Sequence, residues 1–357
     1  MLKTADLFAF LMGSVVTSTA CAAELPADLG GKLAHAYITP ATQDFHQSSR
    51  KLHASLQSWC ATPSSSAGKQ KLESDFAQAV RSWSGIEFLR FGPLVAANRF
   101  ERVYFWPDPR GILPRQIQGV LRNPAAVPDA AQLRSHSVAL QGLPALEYVF
   151  YRDQGLLSGQ AKDFAAECAY AVSVAGNLAS LSAELAEAWG DAGEYTQKFA
   201  QPSASNPLYR TSQEVAGEAI KAISTGLQFA RDVKLTPVLG ADTTSSRYQR
   251  APFWRSGLTV PAMAASAQGM LAFYRAGGYQ YASGERWVDA SIQNELQRVI
   301  DNFEDMDGDI QALLASDDGY LQLTLATLLL KNAKGLVDEY VAPALGVRLG
   351  FNALDGD

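Results

Sequence analysis

Glu147 sits in the run Gly142-Leu143-Pro144-Ala145-Leu146-Glu147, followed by the apolar Tyr148-Val149-Phe150-Tyr151. With Leu146, Tyr148 and Val149 beside it, its carboxylate is expected to be buried. A buried carboxylate must be paired or carry a raised pKa. A histidine three residues ahead would share its helix face, and such a pair could hold a metal or relay a proton. Pro144 occupies that position and can do neither. Proline suits the first turn of a helix, where its missing N–H is not needed, and it pushes Leu143 away from helical angles. Gly142 fits the stop of the Ser135–Gln141 segment. A broken or kinked helix is therefore expected at Gly142–Pro144. Glu147 then falls within about a turn of a helix start, where a carboxylate is favoured by roughly 0.3–1 kcal/mol. Were the helix to run through, the Leu140 carbonyl would lose its partner and be open to water or a ligand. A capped turn with Glu147 in an ion pair is the plain alternative.

Cationic partners are at hand. Seven arginines and no lysine lie between Arg81 and Arg122, among them Arg90, Arg99 and Arg102. They could line an anion pocket or form internal ion pairs with Glu87, Glu101 and Asp108. The second reading is preferred, because polar networks commonly fix the register of a helix interface. Trp83, Trp106 and Trp254 read as packing anchors, with a shared pocket left open. Trp254-Arg255-Ser256 brings together an aromatic wall, a cation and a hydroxyl.

The histidines are His35, His46, His53 and His136, and none has Glu three residues after it. His46 and His53, seven apart, share a helix face and read as solvent-facing. His136 could fold back toward Glu147 across the break. There is no H-E-x-x-H, G-x-S-x-G, phosphate loop or cysteine cluster. Glu147 is the sole metal candidate, so neither iron nor zinc has a His–Glu pair to support it.

Helices must position these groups. Phe45, Leu52, Leu56 and Trp59 recur at helical spacing, as do Leu72, Phe76, Val80 and Trp83. A long helix carries Phe164, Cys168, Val172, Leu178 and Leu185. Later stripes are Val215 to Leu227, Val288 to Leu314, and Leu321, Leu325, Leu328, Leu336 and Tyr340. Strand evidence is confined to Val103-Tyr104-Phe105-Trp106. The class is all-α, with two packed helical-bundle domains of about four long helices each. The polar, turn-rich 201–207 is the linker between an N-terminal bundle at 24–200 and a C-terminal bundle at 208–357. Pro63 to Gly68 reads as a loop.

The chain has 357 residues, 47% hydrophobic and 18% charged, with net charge −6 and pI about 5.4. No basic face for nucleic acid is indicated. Residues 1–23 read as a signal peptide: Lys3, the short apolar run Leu7–Val16, and small residues for cleavage after Ala22 or Ala23. Lipidation of Cys21 is the alternative, giving an outer-membrane anchor, although Ser18 stands where such signals usually carry leucine. After cleavage Cys60 and Cys168 remain, and they are either one disulfide between two helices or two buried thiols.

Several blocks, in order, resemble the imelysin-like family of bacterial envelope proteins. Gly142 to Glu147 resembles its G-x-H-x-x-E signature, with Pro144 in place of the histidine. The other blocks are Trp83-Ser84-Gly85-Ile86-Glu87 with Arg90-Phe91-Gly92-Pro93, then Arg102-Val103-Tyr104-Phe105-Trp106-Pro107-Asp108, then Trp254-Arg255-Ser256-Gly257, and the tail Leu349 to Asp357. The resemblance implies a two-bundle helical fold with a site where the bundles meet, and a periplasmic or outer-membrane setting. It offers two functional expectations, iron uptake and metallopeptidase activity. The missing histidine favours a non-catalytic binding or accessory component with iron-transport partners. A metallopeptidase and a peptide- or protein-binding module are the alternatives.

Overall fold

The computed structural model describes residues 25–62, 66–123, 125 and 127–350. The signal segment, Cys21, Asp355 and Asp357 lie outside the described residues. Among the described residues every regular element is helical and there is no strand. The main helices are α1 (Thr39–Ala61), α2 (Ser66–Ile86), α3 (Gly142–Tyr151), α4 (Phe164–Ala188), α5 (Ser212–Gln228), α6 (Thr259–Ala276), α7 (Arg286–Glu304) and α8 (Asp317–Leu336). Several open on side-chain caps, which satisfy amide groups that have no partner in the first turn. Asp163 caps α4, Thr211 caps α5 and Ser316 caps α8.

The helices pack in two groups. In the first, α1 lies between α2 and α4, and α3 packs on α4. A disulfide joins Cys60 in α1 to Cys168 in α4, with Cα atoms 5.8 Å apart. In the second, α6 packs on α7, α7 on α8 and α8 on α5. The seam between the groups is chiefly α2 against α6. Close approach there depends on Gly269, where a Cβ would stand 2.3 Å from the Gly85 carbonyl oxygen. Tyr37 donates its hydroxyl to that same oxygen at 2.6 Å. Residues 201–211, between the helix Glu194–Ala200 and α5, form no regular element.

Three details depart from the sequence reading. Helix α2 begins at Ser66, inside the expected 63–68 loop. His46 and His53 are half-buried, not solvent-facing: His46 meets Ser182 of α4, and His53 lies against Gly176 of α4. In α8 the buried stripe is Leu323, Ala326, Leu330 and Ala333, while Leu321, Leu325 and Leu328 are exposed. Leucines surround this helix on nearly every side, so spacing alone picks out two faces and cannot choose between them.

Candidate functional site at the helix-group seam

The break at Gly142 is real. A 3-10 turn at Val138–Leu140 ends, Gln141 is extended, and α3 starts at Gly142 with φ +75°. Only glycine fits: a Cβ would lie 2.1 Å from the Val103 carbonyl oxygen. Arg102 secures the break, its guanidinium donating to Gln141 at 3.2 Å and Asn177 at 3.3 Å. Gln141 in turn donates to the His136 carbonyl at 2.9 Å. The Leu140 carbonyl is not left open; Tyr170 donates its hydroxyl to it at 2.8 Å. Every residue of α3 before Tyr151 is buried, and each large apolar side chain so buried stabilises by roughly 1.5–3 kcal/mol. That burial fixes the direction in which Glu147 points.

Glu147 points at the second group, not at the arginines between Arg81 and Arg122. Its carboxylate accepts from Ser256 twice, from the backbone N–H at 3.0 Å and from the hydroxyl at 2.8 Å. The Ser256 Oγ also lies 3.1 Å from the Phe253 carbonyl; its single proton goes to the carboxylate when that is ionised. Burial pushes the Glu147 carboxyl above the usual range, partly offset by the Ser256 hydrogen bonds and the Arg255 charge. Ser256 belongs to a tight loop in which Phe253 and Gly257 both take positive φ, 54° and 70°. Thr259 closes its base by donating to the Pro252 carbonyl at 2.7 Å.

Arg255 lies over the Trp254 ring at 4.3 Å and the Tyr148 ring at 5.3 Å. It faces a cleft of about 640 Å³ walled by Gln118, Tyr148 and Arg152 from the first group and by Trp254 and Asp309 from the second. Gln118 fixes Tyr148 by donating to its hydroxyl at 2.8 Å.

Near Glu147 lies a second polar cluster that sequence spacing did not reveal. Glu87, at the end of α2, forms a buried ion pair with Lys234. Lys234 lies in a π-helical turn, Phe229–Leu235, which follows α5, and such turns re-aim side chains. Burial pushes its amine below the ordinary lysine value, and Glu87 opposes that. The ammonium also sits 5.2 Å from the Tyr104 ring centre and 5.4 Å from that of Phe229. Arg90 stacks on Phe100 and Phe229 at 3.9 and 4.1 Å. The buried Tyr104 phenol is raised well above its usual value by burial, then by the fields of Glu87 and Glu147. The one available sequence signal was Lys234 between Val233 and Leu235, a lone cation in an apolar run.

The other expected site residues have structural tasks. Trp83 is a fully buried core anchor against Phe45, Phe100 and Tyr104. Asp108 caps the helix Ile112–Leu121, accepting from the amides of Ile112 and Leu113 at 2.9 and 2.8 Å. Trp106 is half-buried and precedes a cis peptide to Pro107. His136 is exposed on a turn and gives Gln141 its carbonyl. The expected network of Glu87, Glu101 and Asp108 with nearby arginines does not form as such: Glu87 takes Lys234, Asp108 takes amides, and Arg99 takes Glu184 at 3.0 Å. The reason is reach. Glu87 and Arg99 meet partners across helix contacts, and Asp108 meets the free amides of the helix that follows it.

Metal chemistry does not fit this donor set. Among the described residues no group of three or more His, Cys, Asp or Glu side chains could hold an ion. Glu147 is met by an N–H, an O–H and a nearby guanidinium, groups that donate or repel a cation, and Pro144 offers no ligand atom.

Comparison with known proteins bears on the family and the fold. The imelysin family model (peptidase family M75) matches residues 38–336. No curated protein matches the chain. Among solved structures, the fold is similar to an imelysin-like protein from Psychrobacter arcticum 273-4, with TM-score 0.76 and 20% identity over 92% of this chain and 99% of that one. It is also similar to a putative iron-regulated protein A precursor from Parabacteroides distasonis ATCC 8503, with TM-score 0.66 and 13% identity over 88% and 95% of the two chains.

Proposed function

We propose, for a chain that belongs to the imelysin family, a non-catalytic binding role in the bacterial envelope as an accessory component of iron uptake. Its ligand is taken at the seam of two helical domains, 24–200 and 208–357, in the cleft beside Glu147. The observation that carries this reading is the engagement of one Glu147 carboxylate oxygen by Ser256, together with Pro144 where a metal ligand would stand. A general base must be free to take a proton, and a metallopeptidase needs a metal to activate water. Glu147 is buried against the 253–257 loop, and among the described residues it has no companion ligands for a metal. The peptide-binding alternative draws support from the cleft, whose mixed aromatic and charged lining suits an extended polar ligand. The proposal includes secretion to the periplasm after removal of residues 1–23, or retention at the outer membrane through a lipid on Cys21. Iron-transport components are the proposed partners.

The test is direct. The mature protein is assayed for bound metal, titrated with ferrous iron and with zinc by calorimetry, and incubated with an unfolded protein substrate. The expected result is no stoichiometric metal site and no cleavage. Tight metal binding abolished by Glu147→Ala, or cleavage abolished by a chelator, would overturn the non-catalytic reading. Pro144→His is expected to gain no tight metal site, because His and Glu alone would make two ligands and no further ones stand nearby among the described residues.

A further inference from the structure

Arg255 is the one cleft cation that is both held in place and unspent. Among the described residues its guanidinium lies near two aromatic rings and makes no hydrogen bond and no ion pair; Glu147 and Asp153 act on it only through their fields. Arg152, on the same wall, is committed: it donates to Glu167 at 2.7 Å and to the Gln154 carbonyl at 3.2 Å. Lys162 is exposed. A guanidinium packed against rings loses little further freedom on binding, and its planar fork can meet a carboxylate with two parallel bonds. Trp254 and Tyr148 come from opposite helix groups, so the clamp exists only where the seam closes.

The backbone that carries Arg255 is fixed by its neighbour. Ser256 is tied by both its N–H and its hydroxyl to Glu147 on α3, across the seam. We infer that the cleft receives a carboxylate-bearing solute, that Arg255 grips its carboxylate, and that Glu147 is a positioning residue holding the 253–257 loop so that Arg255 faces the cleft. This rests on reading the seam as a ligand site. The acidic groups Asp153 and Asp309 on the same walls disfavour a densely charged anion and suit a ligand with hydrogen-bond donors beside its carboxylate. Two sources share that chemistry, a free organic acid and the C-terminus of a peptide.

The probes are succinate, citrate, tri-alanine, tri-alanine amide and inorganic phosphate, each titrated into the full mature protein. The readouts are calorimetry and the NMR signal of the Arg255 side-chain Nε–H. The expected result is a saturable shift with at least one carboxylate at about millimolar concentration. Succinate or citrate acting alone identifies an organic acid; tri-alanine acting while its amide does not identifies a peptide end. Arg255→Lys should weaken binding about tenfold and Arg255→Gln should abolish it. Glu147→Gln and Ser256→Ala should each weaken binding several-fold and broaden the Arg255 signal, while Arg255→Gln keeps the folded circular-dichroism spectrum. Equal affinity in Arg255→Gln, preference for phosphate, or no saturable response to any carboxylate would overturn the inference. A carboxylate response absent together with a Glu147-dependent metal site would sink the seam reading as well; absent without such a site, it sinks this inference alone.

Discussion

Breaking the Glu87–Lys234 pair should cost more than any surface change in this chain. Both side chains are almost wholly out of solvent, 3% and 1% exposed, and they join the end of α2 to the turn after α5 across the seam. Removing one partner strands a charge among aromatic rings, where Arg90 is the remaining charged neighbour: it repels a lone Lys234 and only partly compensates a lone Glu87. Breaking a buried pair this way typically costs about 3–5 kcal/mol, whereas replacing both ends with apolar groups is often neutral. Lys234→Met should therefore lower unfolding stability by about 3–5 kcal/mol, and Glu87→Leu with Lys234→Met should recover most of it. The pH response gives the sign a second test. Burial already depresses the Lys234 amine below its unfolded value, and Glu87 opposes that depression. In Glu87→Gln the opposition is gone and the folded value falls further. Between the folded and unfolded values the unfolded chain binds more protons, so stability rises with pH there. The cost of Glu87→Gln should accordingly shrink from pH 7 to pH 9. Urea unfolding followed by circular dichroism reads both effects. A Glu87→Gln cost below about 1 kcal/mol that is flat across that range would mean a solvated pair and refute the reasoning.

Three further outcomes follow from the same structure. Gly142→Ala should destabilise by at least about 2 kcal/mol, since its positive φ and the Val103 carbonyl both exclude a Cβ; a smaller loss in urea unfolding would mean that the break can relax. Replacing Cys60 and Cys168 together with alanine should cost about 2–5 kcal/mol, because the bridge closes a long loop; equal midpoints for this variant and the oxidised wild type would contradict it. Glu147 is raised by burial, so its contribution is fully present below its unfolded pKa and is lost as pH rises through the folded value. Relative to Glu147→Gln, the wild type should lose stability over that window by at most about 1.4 kcal/mol per pH unit; a difference that stays constant from pH 4 to pH 8 would count against the burial.

The all-α class and the helix break were legible in the sequence because each is a local fact. Apolar spacing marks a helix, and Gly142 with Pro144 marks a stop, whatever the rest of the chain does. Cys60 and Cys168 were legible as a candidate pair, but their bridge required α1 and α4 to be neighbours. Partner choice was not legible. Glu147 finds Ser256 109 residues away, and Glu87 finds Lys234 147 residues away. Both contacts cross the seam, and nothing in either segment's own spacing encodes the other. The arginine-rich stretch misled for the same reason: proximity in sequence suggested pairing, but helix geometry sends Arg102 to Gln141 and Asn177, and Arg90 onto two rings.

Pro144 is the residue on which the chemistry turns. In a His–Glu pair the carboxylate would need a free lone pair aimed at a shared ion. Here one carboxylate oxygen accepts two bonds from Ser256, and the neighbouring residue Arg255 is a cation. A histidine at 144 would add one ligand where, among the described residues, no group of three stands ready to hold an ion. Proline also has a positive task, since it occupies the third position of α3, where no intrahelical N–H is required. The glutamate survives without its histidine because its partner is the loop opposite. Helix break, buried carboxylate, Ser256 and clamped Arg255 form one continuous path from α3 to the cleft, and each member depends on the one before it for its position.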